Sequence, residues 1–305
     1  MKPIIFTGDS FTFGEGLELY DSNIYDLIKQ KSINQPPNHK YFYRWDVFEI
    51  ISAGGTASNI RNKYKFPTLV SDRLNTSFLS KNYNGGDNIE ALEFVEQILE
   101  IYSSNDFSCV IMNLTDLFRD EFQVGKEYLR NKLDIVIDDG NTKILEPFML
   151  DWFRWDYITN GAPFIDENKY NEHFGNHAFN INQARKLQLE YKSYNSFEED
   201  MHTRTYHAMI SMIQKINIPT YFIGHWSKPD NDVLLRLKDT QIQETIIDNI
   251  IPVHIDNKKY DNLAYLPKDS SLFIHEEFPW TQNQHPSKSL HEILATSIVE
   301  FIKNK

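Results

Sequence analysis

Cysteine is almost absent from this 305-residue chain: Cys109 is the single thiol, so no internal disulfide framework can form. It sits within the apolar run "SCVIMNL" and reads as a buried structural thiol. Glycine and proline number only 12 each, which excludes collagen-like and Pro/Gly-rich low-complexity architecture. Basic residues are in the minority, 31 Lys plus Arg against 43 Asp plus Glu, for a net charge of −12. Such a surface repels a phosphate backbone, so no nucleic-acid partner is expected. Long apolar runs are missing too; none approaches the ~20 residues that span a bilayer, and no membrane association is expected. The opening "MKPIIFTGDS" has three apolar residues in its run before turn residues intervene, too few for the apolar region of a secretory signal. A cytoplasmic protein is the expectation, and the Asn-, Ile-, Lys- and Tyr-rich composition suggests an AT-rich viral or bacterial genome.

What remains is an ordinary globular composition, 41% hydrophobic and 24% charged, enough for one large domain. Three short runs rich in β-branched and aromatic residues read as buried strands: "PIIFT" (3–7), "SCVIMNL" (108–114) and "IPTYFIG" (218–224). Amphipathic helices separate them. Ile89, Leu92, Val95, Leu99 and Tyr102 recur at helical spacing, a second pattern covers roughly 197–215, and the chain closes on a stripe of Leu290, Ile293, Leu294, Ile298, Phe301 and Ile302. Ser287 or Ser289 would cap that last helix. Strands alternating with helices predict an α/β fold with a mostly parallel sheet, whose ligands gather at the carboxyl ends of the strands. Residues 20–66 read as loop-rich, with one short strand near Val47 to Ile51. Residues 120–200, rich in aromatics and turn formers, read as an inserted cap or subdomain within a single domain covering 1–305, because a structureless loop of that length is improbable.

Immediately behind the first strand stands "GDSFTFGEG" (8–16). A serine there, at the entry to a helix, lies where backbone N–H groups favour developing negative charge. Its hydroxyl is inert at neutral pH without an adjacent base, usually a histidine brought close by folding. By themselves Gly8, Asp9 and Ser10 read equally as a tight turn with a cap. Near the other end, "QNQHPSKSLHEILA" puts His285-Pro286 directly before the terminal helix.

Taken with Thr12, Gly14 and Gly16, the first string resembles block I of the SGNH hydrolases, the GDSL esterase and lipase superfamily, and His285-Pro286 resembles the last block of that family. The resemblance implies a three-layer α/β/α, flavodoxin-like fold with an inserted subdomain. It also implies hydrolysis of an ester, thioester or acetylated sugar through an acyl-serine, without metal or cofactor. Ser10 takes the role of nucleophile, its backbone N–H contributing to the oxyanion hole, and His285 that of general base. Three residues before His285 the family carries an aspartate, where this chain has Gln282. An amide can orient the imidazole but supplies no charge to it. The dyad is therefore oriented by Gln282 or a carbonyl, completed by a carboxylate from elsewhere such as Glu276, Glu277 or Asp256, or weakened. In the stretch "NYNGGDN" (82–88), Gly85 or Gly86 matches the glycine that donates to the oxyanion. In "VIMNLTDLFRDE", either Thr115 or Asn113 takes the place of the family's oxyanion-hole asparagine.

Other features carry less. Trp152, Trp155 and Tyr157 form either the core of the insertion or a stacking platform for sugar rings. His173 and His177 have i, i+4 spacing, but Gly175 and Asn176 between them are poor helix residues, and no metal site is expected. His225 follows the third strand and either lines the pocket or is a buried neutral imidazole. The expected ligand is a small-molecule or carbohydrate ester, an O-acetylated sugar being the leading class. The alternative is a catalytically weak or silent SGNH-like protein that binds a glycan, for which Gln282 and the altered third block speak. No feature indicates an oligomeric state.

Overall fold

β1, Ile4–Thr7, is buried at every residue, as a β-branched and aromatic run with no alternation requires when both faces of a strand are covered. In this computed structural model the described residues are 1–9, 12, 14, 16–33, 55–80, 88–115, 197–224, 240–267, 271–278 and 285–305. Of these, 27, 28, 30–33, 55–58, 197–203 and 275 are described by their backbone alone. β1 pairs in parallel with β2 (Phe78–Ser80) on one side and β3 (Cys109–Asn113) on the other, and β4 (Thr220–Ile223) pairs in parallel with β3. The sheet order is β2-β1-β3-β4, with Ile4 opposite both Phe78 and Cys109. A further parallel bridge joins Phe222 to Ile250. β5 (Val253–Ile255) and β6 (Lys258–Tyr260) form an antiparallel hairpin turned by Asp256 and Asn257, whose φ values of 50° and 64° suit a two-residue hairpin loop.

The chain is thus an α/β protein whose described residues form a parallel four-stranded sheet, as the strand and helix alternation predicts. It divides into two units, 1–115 with 209–305, and 116–208. The expected insertion at about 120–200 lies, except for 197–200, outside the described residues, as does the strand expected near Val47 to Ile51.

Helices pack on the sheet of the first unit. α1 (Ser22–Ile33) and α2 (Gly55–Tyr64) precede α3 (Phe66–Leu74); α4 (Asn88–Leu99) lies between β2 and β3. α5 (Phe197–Ile216) leads to β4, α6 (Thr240–Thr245) and α7 (Ile274–Glu277) are short, and α8 (Lys288–Asn304) ends the chain. α3 and α8 share one core cluster with Ile4, Phe6, Cys109 and Ile111, filled from α8 by Leu290, Leu294 and Ile298. Burying each of these three side chains contributes about 1.5–3 kcal/mol. Thr7, of opposite parity to Phe6 on β1, donates its hydroxyl to Ala91 O of α4 at 2.7 Å. Cys109 is buried within the cluster, and that burial pushes its thiol up to about 12.

Two expectations need correction. Where 20–66 was expected to be loop-rich, its described residues are mostly helical, in α1 and α2, with α1 capped by Asp21 Oδ1, which accepts from Asn23 and Ile24 N–H at 3.0 and 3.1 Å. The stripe expected through Ile89 and Tyr102 is rotated. α4 buries Asn88, Ala91, Leu92, Val95 and Ile98, while Tyr102 lies beyond the helix, 50% exposed, with its ring edge-on to Phe107. Of the two capping candidates, Ser287 is the cap, its Oγ accepting from Leu290 N–H at 3.4 Å.

Candidate functional site

The order β2-β1-β3-β4 reverses direction between β1 and β3, and in open α/β sheets the crevice for ligands opens at such a reversal, outside the carboxyl ends of the strands. β1 leaves the sheet there through Gly8, at φ +139°. A Cβ at this position would stand 2.7 Å from Thr12 Oγ1 and 2.8 Å from both Cβ and the carbonyl oxygen of Asn113, so only glycine lets the two strand ends approach this closely. The next residue, Asp9, is 1% exposed; Asn113 Nδ2 donates to its Oδ1 at 2.8 Å. Thr12 closes the turn, its N–H donating to Asp9 O at 3.1 Å and its hydroxyl to Thr7 O at 3.2 Å. Ser10 itself lies outside the described residues, between these two.

β3 ends at Asn113 and continues through Leu114 to Thr115, all buried. Asn88, the first residue of α4 and 1% exposed, holds Thr115 at two points: its Oδ1 accepts from Thr115 N–H at 3.0 Å, and its Nδ2 donates to Thr115 O at 3.1 Å. The Thr115 hydroxyl and Asn113 Oδ1 are buried with no hydrogen-bond partner among the described residues. Unpaired buried polar atoms are rare in native folds and mark places where a ligand or water completes the set. Gly85 and Gly86 lie outside the described residues.

His285 is half-buried and begins the segment that feeds α8. Its carbonyl accepts from Ile274 N–H at 2.8 Å, and Pro286 bridges Phe273. Three residues on, Lys288 donates its backbone N–H to the hydroxyl of Tyr20 at 3.1 Å, and that hydroxyl donates to Glu277 at 2.7 Å. Burial, and then the hydrogen bond to the Glu277 carboxylate, raises the Tyr20 phenol well above its ordinary range. Tyr20 ends the helical turn Leu17–Tyr20 that follows the glycine-rich string, so this hydroxyl joins the beginning of the chain to its end.

A second tie runs beside it. His291 in the first turns of α8 is fully buried, its ring stacked on Phe66 and its Nδ1 accepting from Phe66 N–H at 3.1 Å. Burial, then the charges of His285 and Lys65, lowers its imidazole to about 3, so it is neutral; its Nε2 has no partner among the described residues. Lys65, the residue before α3, is 4% exposed, has no carboxylate partner among the described residues, and lies against the Phe78 ring. Burial, then the neighbouring charge of Arg61, lowers its ammonium to about 8. Its Cβ would be 3.2 Å from a Cβ at Gly14, which places it against the glycine-rich string.

Of the residues singled out in the sequence, Asn113 is joined to Asp9 at the reversal point, and Thr115 stands two residues past the end of β3. Gln282, Ser10, Gly85 and Gly86 lie outside the described residues, as do Trp152, Trp155, Tyr157, His173, His177 and His225. The three candidate carboxylates have other surroundings. Glu276 Oε2 accepts from Leu272 and Phe273 N–H at 2.8 and 3.3 Å, Glu277 is bonded to Tyr20, and Asp256 is exposed at the hairpin turn. Asn88, Tyr20, Lys65 and His291 were not foreseen. Only Asn88 left a local trace, as a capping-type residue directly behind Gly-Gly-Asp and ahead of an apolar pattern.

Fold and site define an α/β protein with buried polar side chains gathered at the reversal point of a parallel sheet. No helix among the described residues is long and apolar enough to cross a membrane. The chain matches no family model, no curated protein and no solved structure.

Proposed function

We propose that the chain is a serine hydrolase of the SGNH type, with a three-layer, flavodoxin-like α/β/α core, that cleaves a carboxylic ester. In this reading Ser10 Oγ attacks the acyl carbonyl while His285 takes its proton. The Ser10 and Gly85 or Gly86 N–H groups, with Asn113 or Thr115, hold the oxyanion, and His285 returns the proton to the departing alcohol. Gln282 orients the imidazole. An O-acetylated carbohydrate is the substrate class.

The observation that carries the reading is the tie between the two specific motifs at opposite ends of the chain. Lys288, three residues past His285, is bonded to Tyr20, just past the glycine-rich string, across 268 residues. Two motifs that act on one carbonyl must be brought together in this way, whereas a turn and an unrelated helix cap need not be.

The test is fluorophosphonate labelling with intact-mass and peptide mapping, because the reagent reports an activated serine without knowledge of the substrate. An adduct on Ser10, abolished by Ser10→Ala and by His285→Ala, is the expected result. Folded protein that takes no adduct refutes the hydrolase and turns attention to glycan binding.

A further inference from the structure

We infer that the side-chain donor to the oxyanion is the Thr115 hydroxyl, and that Asn88 is the positioning residue that aims it; both roles rest on the hydrolase reading. The two candidates at the end of β3 differ in what already holds them. Asn113 directs an amide N–H onto the buried side-chain oxygen of Asp9 at 2.8 Å, which sets the plane of its amide and engages its donor. Thr115 has a buried hydroxyl that nothing among the described residues engages. An orphan hydroxyl of this kind costs about 1–3 kcal/mol in a finished fold. It is tolerated where an acceptor arrives with the ligand.

A donor helps a transition state only if its direction is set in advance. Asn88 does this through both ends of its amide, accepting from Thr115 N–H at 3.0 Å and donating to Thr115 O at 3.1 Å. The peptide groups on either side of Thr115 are thereby fixed, and with them the direction of its Cα–Cβ bond. Threonine is branched at Cβ, which leaves its hydroxyl few rotamers once the backbone is held. Asn88 is itself anchored as the first residue of α4, a twelve-residue helix packed on β1 through Ala91, so the clamp transmits the position of that helix to the end of β3.

In the step itself, the Ser10 Oγ–carbon bond forms as the proton passes to His285, and the carbonyl π pair moves onto oxygen, where the Thr115 O–H meets it. Collapse re-forms the carbonyl, breaks the bond to the alcohol oxygen, and sends the His285 proton to that oxygen. Charge is greatest on the oxyanion between these events, and there the hydroxyl acts.

The experiment compares wild type, Thr115→Val, Thr115→Ser, Asn88→Ala and the double variant Asn88→Ala/Thr115→Val on p-nitrophenyl acetate. It also follows fluorophosphonate labelling rates, with circular dichroism to verify folding. Thr115→Val should lower kcat about 10²–10³-fold with KM little changed, as loss of one oxyanion donor does, and Thr115→Ser should retain most of it. Asn88→Ala should lower kcat, and the double variant should be no slower than Thr115→Val alone, because Asn88 acts only through that hydroxyl. Should Asn88→Ala fail to fold, Asn88→Asp keeps the acceptor for Thr115 N–H, loses the donor to Thr115 O, and takes its place in the cycle. Active wild type with Thr115→Val still near its kcat overturns the donor assignment, and additive losses overturn the role of Asn88. Folded wild type that neither hydrolyses the ester nor takes the label overturns the hydrolase reading and this inference with it.

Discussion

His291 makes the stability of the α8 region depend on pH in a way that can be worked out from its surroundings. In the unfolded chain its imidazole takes a proton near pH 6.5; in the folded chain burial, reinforced by His285 and Lys65, defers that to about 3. Between these values the unfolded state binds more protons, so stability is fully present above the unfolded pKa and is lost as pH falls through this window. From pH 7 to pH 5 the loss is about 2 kcal/mol, a figure that hardly depends on the folded value so long as it stays well below 5. His291→Asn removes the titration and offers a side-chain oxygen near Nδ1 to accept from Phe66 N–H, the bond that ties α8 to the start of α3. Urea unfolding with amide exchange of α8 at both pH values, on wild type and variant, is the assay. The nine other histidines are common to both proteins and cancel in the difference. Wild type should lose about 2 kcal/mol more than the variant on going to pH 5. Equal losses would mean that the folded protein protonates this imidazole freely, and the account of its burial would be wrong.

Two further substitutions probe the frame of the site. Tyr20→Phe removes the acceptor for Lys288 N–H and the donor to Glu277, and should lower stability by about 1–3 kcal/mol and loosen the start of α8, read as faster amide exchange at Lys288. Gly8→Ala drives a Cβ to within 2.8 Å of Asn113 at a φ of +139°, and should cost several kcal/mol, at least about 3, or abolish soluble expression; a variant with wild-type melting temperature would refute the close approach.

Elements governed by local rules were legible in the sequence. β1, β3 and β4 were readable because continuous β-branched and aromatic runs have no other use in a short buried segment, and α8 because its apolar spacing survives without help from neighbours. α2 was missed because "GTASNIRNKY" is polar nearly throughout and shows no apolar stripe. β2 is a half-buried three-residue strand whose side chains carry no period. In α4 several apolar residues offered more than one stripe, and the packing of Ala91 under Thr7 selected a face that Ile89 and Tyr102 do not share.

Of the site, the sequence by itself determined which residue types flank β1, β3 and α8, since Gly8, Asp9, Asn113, Thr115 and His285 each stand at the end or the beginning of a locally readable element. Only the tertiary structure decided which of them meet: Asp9 with Asn113 across 104 residues, Asn88 with Thr115 across 27, Phe66 with His291 across 225. It also decided that Glu277 serves Tyr20 and that Glu276 serves the backbone before α7. The physical reason is range. Propensity, capping and apolar period act within a few residues along the chain, whereas a buried polar pair forms only after the sheet has set its strand order and both groups have lost their water.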